Sequence, residues 1–162
     1  MKNNENNNRV NFGIDTNGYT FIALKELPLN AIIRVNGLFI YKGKYGYTPV
    51  IINQKDELLI TLPLHRFKKV SEILNNNEMV EKIKNNEIII IVDDYEKDGN
   101  HYKTVRFKSV KYLKMEELQK NKATLNEYEN IIKIAKEMKT EKAKTQTATT
   151  EQNTENTEDL PF

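Results

Sequence analysis

The spacing of the apolar residues changes twice between residues 31 and 110 of this chain of 162 residues, and the order of those changes restricts the possible folds more than any other feature. Stretches rich in β-branched and aromatic residues come first and predict three strands: 31–41, 47–53 and 57–62. A helical spacing follows Pro63 and predicts two short helices. Two further strands are predicted at 88–95 and 101–110, joined by a tight turn centred on Asp98-Gly99.

The predicted order is therefore strand, strand, strand, helix, strand, strand. This is the order of the OB-fold, a five-stranded, partly open barrel, here with a helical insertion between strands 3 and 4. Ile33 and Val35, at odd positions, share one face of the first strand. Beyond Gly37 the inward residues are instead at even positions, Leu38 and Ile40, so the strand is expected to bend. A β-bulge at Asn36-Gly37 would reverse the side-chain phase in this way. The fold class predicted is mainly β.

The rest of the chain divides by composition. We predict a flexible N-terminal arm at 1–18, the barrel at 19–113, a helical segment at 114–139 and a disordered acidic tail at 140–162. Thr124 and Glu127 form a plausible capping box. An amphipathic stripe follows it: Leu125, Tyr128, Ile131, Ile132, Ala135 and Met138. From Thr140 to Asp159 there is no large apolar residue, which favours disorder.

Composition excludes several kinds of site. The chain has no cysteine, so it has neither disulfides nor thiolate metal ligands, and its only histidines are His65 and His101. No apolar run approaches the roughly 20 residues that a membrane span needs, and no signal peptide is evident, so we expect no membrane association and a cytoplasmic location. Asp93 and Asp94 could suggest a two-metal nuclease, but no other carboxylate motif accompanies them. We predict a protein that is not an enzyme and has no cofactor and no metal.

Charge is distributed unevenly. Residues 1–114 hold 18 Lys and Arg against 13 Asp and Glu, whereas residues 140–162 hold 2 Lys against 5 acidic residues. A basic body with an acidic end is typical of a domain that binds a polyanion and carries a separate interaction tail.

Aromatic and basic residues alternate around the first predicted hairpin and along the last strand. Single-stranded nucleic acids are bound by such surfaces, because aromatic faces stack on bases while cations contact phosphates. The predicted nucleic-acid contacts are Arg34, Phe39, Tyr41, Lys42, Lys44, Tyr45, Tyr47, Tyr102, Arg106 and Lys108. Two alternatives stay open at this point: Phe39 as a core residue, and the last strand as an ordinary solvated face.

The chain ends in Glu158-Asp159-Leu160-Pro161-Phe162, an apolar tip on an acidic tail, which suits capture in a pocket with a basic rim. This ending resembles the C-terminal tip of bacterial single-stranded DNA-binding proteins. The body resembles the divergent single-stranded DNA-binding proteins of phages of low-GC Gram-positive bacteria, at three places: 24–30, 37–40, and 43–46 with Pro49-Val50.

The resemblance implies an OB-fold that binds single-stranded DNA in the cytoplasm of a bacterial host cell. It also implies a tip that recruits replication, recombination or repair proteins through Asp159, Leu160, Pro161 and Phe162. A homo-oligomer is expected. The chain departs from the typical bacterial protein in having no tryptophan and a longer helical insertion, so the identity of the stacking aromatics does not carry over. The alternatives are an RNA-binding OB-fold protein of cold-shock type, a small nuclease, and a structural or regulatory protein that assembles through helix 124–139.

Overall fold

The protein is mainly β, with two sheets and a long C-terminal helix. The computed structural model describes residues 10–44 and 46–149, and side chains as far as Thr140. The strands are β1 (Thr20–Ala23), β2 (Ile32–Arg34), β3 (Gly37–Gly43), β4 (Gly46–Asn53), β5 (Leu58–Thr61), β6 (Ile88–Lys97) and β7 (Asn100–Ser109). The helices are α1 (Phe67–Leu74), α2 (Asn77–Lys84) and α3 (Met115–Thr149). One sheet has the order β1-β5-β4-β3 and the other β2-β6-β7.

The bend predicted near Asn36-Gly37 is the place where the chain passes from one sheet to the other. β2 pairs with β6 and β3 pairs with β4, so the predicted first strand is interrupted at Val35 and Asn36. The amide of Val35 donates to Ile88 O at 3.0 Å, and the next amide, that of Asn36, donates to Ile52 O at 2.9 Å. Two consecutive amides therefore join the two sheets.

No closed barrel is found in the described ranges, and the predicted closure into five strands is not confirmed. β1 pairs in parallel with β5 and occupies the edge of the four-stranded sheet. β7 pairs with β6 alone and forms the edge of the other sheet. Because β1 takes the free edge of β5, β7 has no strand there on which to close a barrel.

The main core lies between the two sheets and under the short helices. The four-stranded sheet contributes Leu38, Ile51 and Ile60, and the three-stranded sheet contributes Ile33, Ile90, Val92 and Val105. The predicted helical insertion is confirmed, and it buries Val70, Ile73 and Ile83 in the same core. A second, smaller cluster on the outer face of the four-stranded sheet contains Val50, Ile52 and Leu59.

Part of the predicted flexible arm is packed against the sheets. Val10 and Phe12 contact the main core, and Ile14 contacts the outer cluster. These apolar side chains alternate along the segment, so that one side of it faces protein. Residues 1–9 lie outside the described residues.

Helix α3 differs from its prediction in its bounds and in its buried face. It begins at Met115, which places Thr124 inside the helix, where its hydroxyl donates to Asn121 O at 3.0 Å, so the capping box is wrong. The helix also runs to Thr149, past the predicted start of the disordered tail at 140. Glu, Lys, Ala and Gln in 140–149 favour helix even without an apolar face. The remainder of the tail, 150–162, lies outside the described residues.

The amphipathic stripe of α3 is only partly buried. Tyr128 and Ile132 enter the core, whereas Leu125 is 40% exposed and Met138 is 60% exposed. Polar contacts complete the docking of the helix: Asn121 Oδ1 accepts from Ile32 N at 2.8 Å, Tyr128 OH donates to Asp56 at 3.0 Å, and Lys139 Nζ donates to Tyr19 O at 2.7 Å. None of the described helices combines the length and apolarity needed to cross a membrane.

Candidate nucleic-acid interface

The hairpin of β3 and β4 extends beyond the end of β5, because β5 pairs only with Val50–Asn53 of β4. Side chains alternate along each strand, so the projecting part presents two different faces. Lys42 and Tyr47 are register partners on one face. The Lys42 ammonium lies 5.9 Å from the centroid of the Tyr47 ring, a cation–π contact.

Aromatic rings of this hairpin and of the hairpin of β6 and β7 both contact the segment 65–67. Tyr47 meets Phe67 edge to face with centroids 6.2 Å apart, and His65 stacks on Tyr95 at 5.1 Å. Tyr95 in turn contacts Tyr102 at 6.5 Å. We call these five residues, Tyr47, Phe67, His65, Tyr95 and Tyr102, the aromatic row.

The middle of the row is supplied by the turn that precedes α1. Pro63 starts a single 3₁₀ turn at Leu64–Arg66, which carries His65 and leads into Phe67. The turn is fixed to β7 by two hydrogen bonds: His65 Nε2 to Thr104 Oγ1 at 3.0 Å, and Arg66 Nη1 to Val105 O at 3.2 Å.

Partial burial, together with the neighbouring Arg66 cation, lowers the pKa of His65 below its ordinary value. The imidazole is therefore neutral at pH 7 and takes part in the row as an aromatic ring rather than as a cation.

The row is accessible to a ligand. Tyr47, Tyr95 and Tyr102 are 47%, 39% and 50% exposed, so part of each residue is open to solvent. At the Tyr47 end, a shallow cavity of about 430 Å³ is lined by Tyr47, Leu64, His65, Phe67 and Lys68. The cations of the row, Lys42 and Lys68, lie at this same end.

Phe39 and Tyr41 lie on the opposite face of the same hairpin. Both are half-buried and pack against the outer cluster, together with Ile14 and Tyr19. An open cavity of about 520 Å³ separates the N-terminal segment from β3 beside them. They face away from the main core, as expected, but they are not part of the aromatic row.

The predicted cations are dispersed. Arg34 donates to the backbone carbonyl of Asn86, and it pairs with Ile89, six positions and about 20 Å along β6 from Tyr95. Arg106 and Lys108 already have carboxylate partners, which are described below. Lys44 is exposed in the hairpin turn.

Among the predicted contacts that the structure describes, Tyr47 and Tyr102 belong to the aromatic row, and Lys42 contacts its Tyr47 ring. Tyr45 and the predicted partner-binding tip, 159–162, lie outside the described residues.

Phe67 and Tyr95 are not among the contacts predicted from the sequence. Phe67 falls within the helical spacing that follows Pro63. His65 was interpreted as an isolated surface or nucleic-acid contact and was not included in the predicted set. Tyr95 could have been found, because a two-residue turn at Asp98-Gly99 makes Tyr95 and Tyr102 register partners.

The two aspartates that could suggest a nuclease point away from each other. Asp93 and Asp94 are consecutive in β6 and so project to opposite faces of the sheet. Asp93 is paired with Arg106 and Asp94 with His101, each at 2.8 Å. Among the residues that the structure describes, no group of three or more His, Cys, Asp or Glu is arranged to hold a metal ion.

Comparisons of this chain with known protein families, with curated proteins and with solved structures find no match.

Proposed function

We propose that this protein binds single-stranded DNA without reading its sequence. The observation that carries the proposal is the aromatic row, whose partly exposed rings run from one hairpin to the other. Unpaired bases stack on aromatic side chains regardless of sequence, because every base has a π-face. The row has cations, Lys42 and Lys68, beside its Tyr47 end, where phosphates would be neutralised.

The arrangement of strands supports an open OB-fold as the frame of this site. If β2 and β3 are taken as one bent strand, its first part pairs with β6 and its second part pairs with β4. The two short helices, α1 and α2, lie between β5 and β6. OB-folds bind oligonucleotides on the face of their second and third strands, between two hairpin loops. The equivalent loops here are those of β3–β4 and β6–β7, and the aromatic row extends between them.

The wider biological role rests on the resemblance of the chain. A protein of this kind would coat and protect single strands in the cytoplasm of a bacterial host, as a homo-oligomer, with no catalytic activity and no cofactor. Its C-terminal tip would bring replication, recombination or repair proteins to the coated DNA.

Binding of labelled oligo-dT, oligo-rU and duplex DNA, each with and without magnesium, tests the proposal. We expect oligo-dT to bind much more tightly than duplex, because a duplex hides its base faces, and we expect every strand to stay intact. Tighter binding of oligo-rU would favour the RNA-binding alternative. Equal affinity for duplex and oligo-dT would refute a stacking mechanism, and magnesium-dependent cleavage would indicate a nuclease.

The charge at the Tyr47 end can be tested separately. Lys42→Ala should make the dependence of log affinity on log salt shallower by about 0.7, the value for one phosphate contact with a single strand. Lys133→Ala removes the same charge from an exposed position on α3 and is the matched control. An equal change in both variants would mean that only net charge matters.

The proposed recruitment by the tip needs a different measurement. Deleting 159–162 should leave oligo-dT affinity unchanged and abolish co-purification of replication or recombination proteins with the DNA-bound protein. Retention of the same proteins after the deletion would show that the tip does not recruit them.

A further inference from the structure

One carboxylate holds two of the cations of β7. Lys108 Nζ lies 2.9 Å and 3.1 Å from the two carboxylate oxygens of Glu117, and Arg106 Nη2 lies 3.4 Å from one of them. Glu117 belongs to the first turn of α3, and it also accepts a hydrogen bond from the amide of Lys114 at 2.9 Å. The carboxylate therefore has two cationic donors and one backbone donor.

This carboxylate is ionised at neutral pH. The hydrogen bond from Lys108, followed by that from the Lys114 amide, lowers the pKa of Glu117 to about 2. The Glu117 and Lys108 side chains are only 15% and 18% exposed, so solvent screens their pairing weakly. Arg106 has a second partner, Asp93, at 2.8 Å. Two cations thus face two carboxylates and present no net charge.

The donors around Glu117 are of the kind that binds phosphate. Charge-assisted hydrogen bonds from Arg and Lys, combined with a backbone N–H at the start of a helix, are a common way to hold a phosphate group. In this protein the chain's own carboxylate occupies the position.

The position also lies along β7 from the last ring of the aromatic row. Tyr102, Thr104, Arg106 and Lys108 share one face of β7, because they are two residues apart. Arg106 is four residues, or about 13 Å, from Tyr102, the last ring of the aromatic row. A nucleic acid that leaves the row at Tyr102 and follows β7 reaches Arg106 and then Lys108.

We infer that Glu117 is an autoinhibitory contact, in which its carboxylate competes with nucleic-acid phosphates for Arg106 and Lys108. The inference rests on the proposed single-strand binding. Phosphates that displace the carboxylate release Glu117, so a strand that binds along the whole of β7 also loosens the first turn of α3 from the sheet. Phosphate contacts with Arg106 and Lys108 therefore add less affinity than contacts with two unpaired cations would add.

The test compares oligo-dT binding by the full chain and by two variants over a salt series. Glu117→Gln removes the carboxylate that contacts Lys108 and Arg106, leaves Arg106 paired with Asp93, and retains an amide oxygen that can accept from the Lys114 amide. It should bind more tightly at low salt, with a salt slope steeper by about 0.7 to 1.4, the value for one or two added phosphate contacts. Glu116→Gln makes the same charge change at the preceding residue, whose carboxylate pairs with Lys120 at 3.2 Å, and should leave the slope unchanged.

A double variant distinguishes loss of the Glu117 contact from damage to the fold. In the Glu117→Gln background, Lys108→Gln should remove at least half of the added slope, because it removes one of the two cations that Glu117 contacts. Thermal unfolding of each variant reports whether α3 remains docked. A Glu117→Gln protein that unfolds like the parent but binds no better overturns the inference.

The remaining outcomes are also decisive. If the parent binds oligo-dT and both single variants tighten it equally, the effect is one of net charge and the inference fails while the proposed function stands. If the parent does not bind oligo-dT but Glu117→Gln does, the Glu117 contact inhibits binding and the parent is not a constitutive single-strand binder. If neither binds oligo-dT, the proposed function and the inference both fail.

Discussion

Replacing Tyr102 by alanine removes the most exposed tyrosine of the aromatic row without changing the charge. The ring is 50% exposed and contacts Tyr95 on one side, so one face at most is available to a base. Base–aromatic stacking contributes about 1–3 kcal/mol by alanine substitution, and with a single available face we expect about 1–2 kcal/mol. The dissociation constant for oligo-dT should therefore rise by about 5- to 30-fold. The salt slope should not change, because no phosphate contact is lost.

Fluorescence anisotropy of labelled oligo-dT over a salt series measures both quantities. Tyr112→Ala is the matched control, since Tyr112 is 72% exposed in the turn after β7 and is not a member of the row. Its affinity should equal that of the parent. If Tyr102→Ala and Tyr112→Ala bind alike, the aromatic row is not the binding surface. A shallower slope in Tyr102→Ala would mean instead that the variant has disturbed a cation.

Three predictions concern stability. Tyr128→Phe keeps the ring buried but loses the 3.0 Å hydrogen bond to Asp56. The free energy of unfolding measured in urea should fall by about 1–2 kcal/mol, and an unchanged urea midpoint would contradict this. Gly37→Val should cost about 1–3 kcal/mol in the same assay, because even a Cβ at Gly37 would lie 2.8 Å from Ile52 Cδ1; full stability would show that Ile52 moves aside freely. The pKa of Glu117 is lowered from 4.5 to about 2, so the stability it adds is complete above pH 4.5 and is lost as the pH falls toward 2. Between pH 4.5 and pH 2 the melting temperature of the parent should fall more steeply than that of Glu117→Gln. Parallel curves of melting temperature against pH would refute this prediction.

The order of strands and helices could be predicted from the sequence because hydrophobic period is a local property. The period changes after Leu62 and again before Ile88, and the structure has the two short helices α1 and α2 between those points. The two hairpins were predicted from their turn residues. The interruption near Asn36-Gly37 was predicted from a reversal of side-chain phase, which is also a local signal. Of the candidate site, Tyr47, Lys42 and Tyr102 were identified because aromatic and basic residues alternate in those hairpins.

Strand edges and remote contacts were decided by the tertiary structure. Nothing local to Thr20–Ala23 indicates that it pairs with β5 and takes the edge on which a barrel would close. Likewise, the turn that carries His65 and Phe67 joins two hairpins that are distant from it in sequence. Arg106 was predicted as a nucleic-acid contact, but its guanidinium is paired with Asp93 and with Glu117, which is eleven residues further on in another element. Periodicity reports which face of an element is apolar, whereas the partner of a side chain depends on how separate elements meet in space.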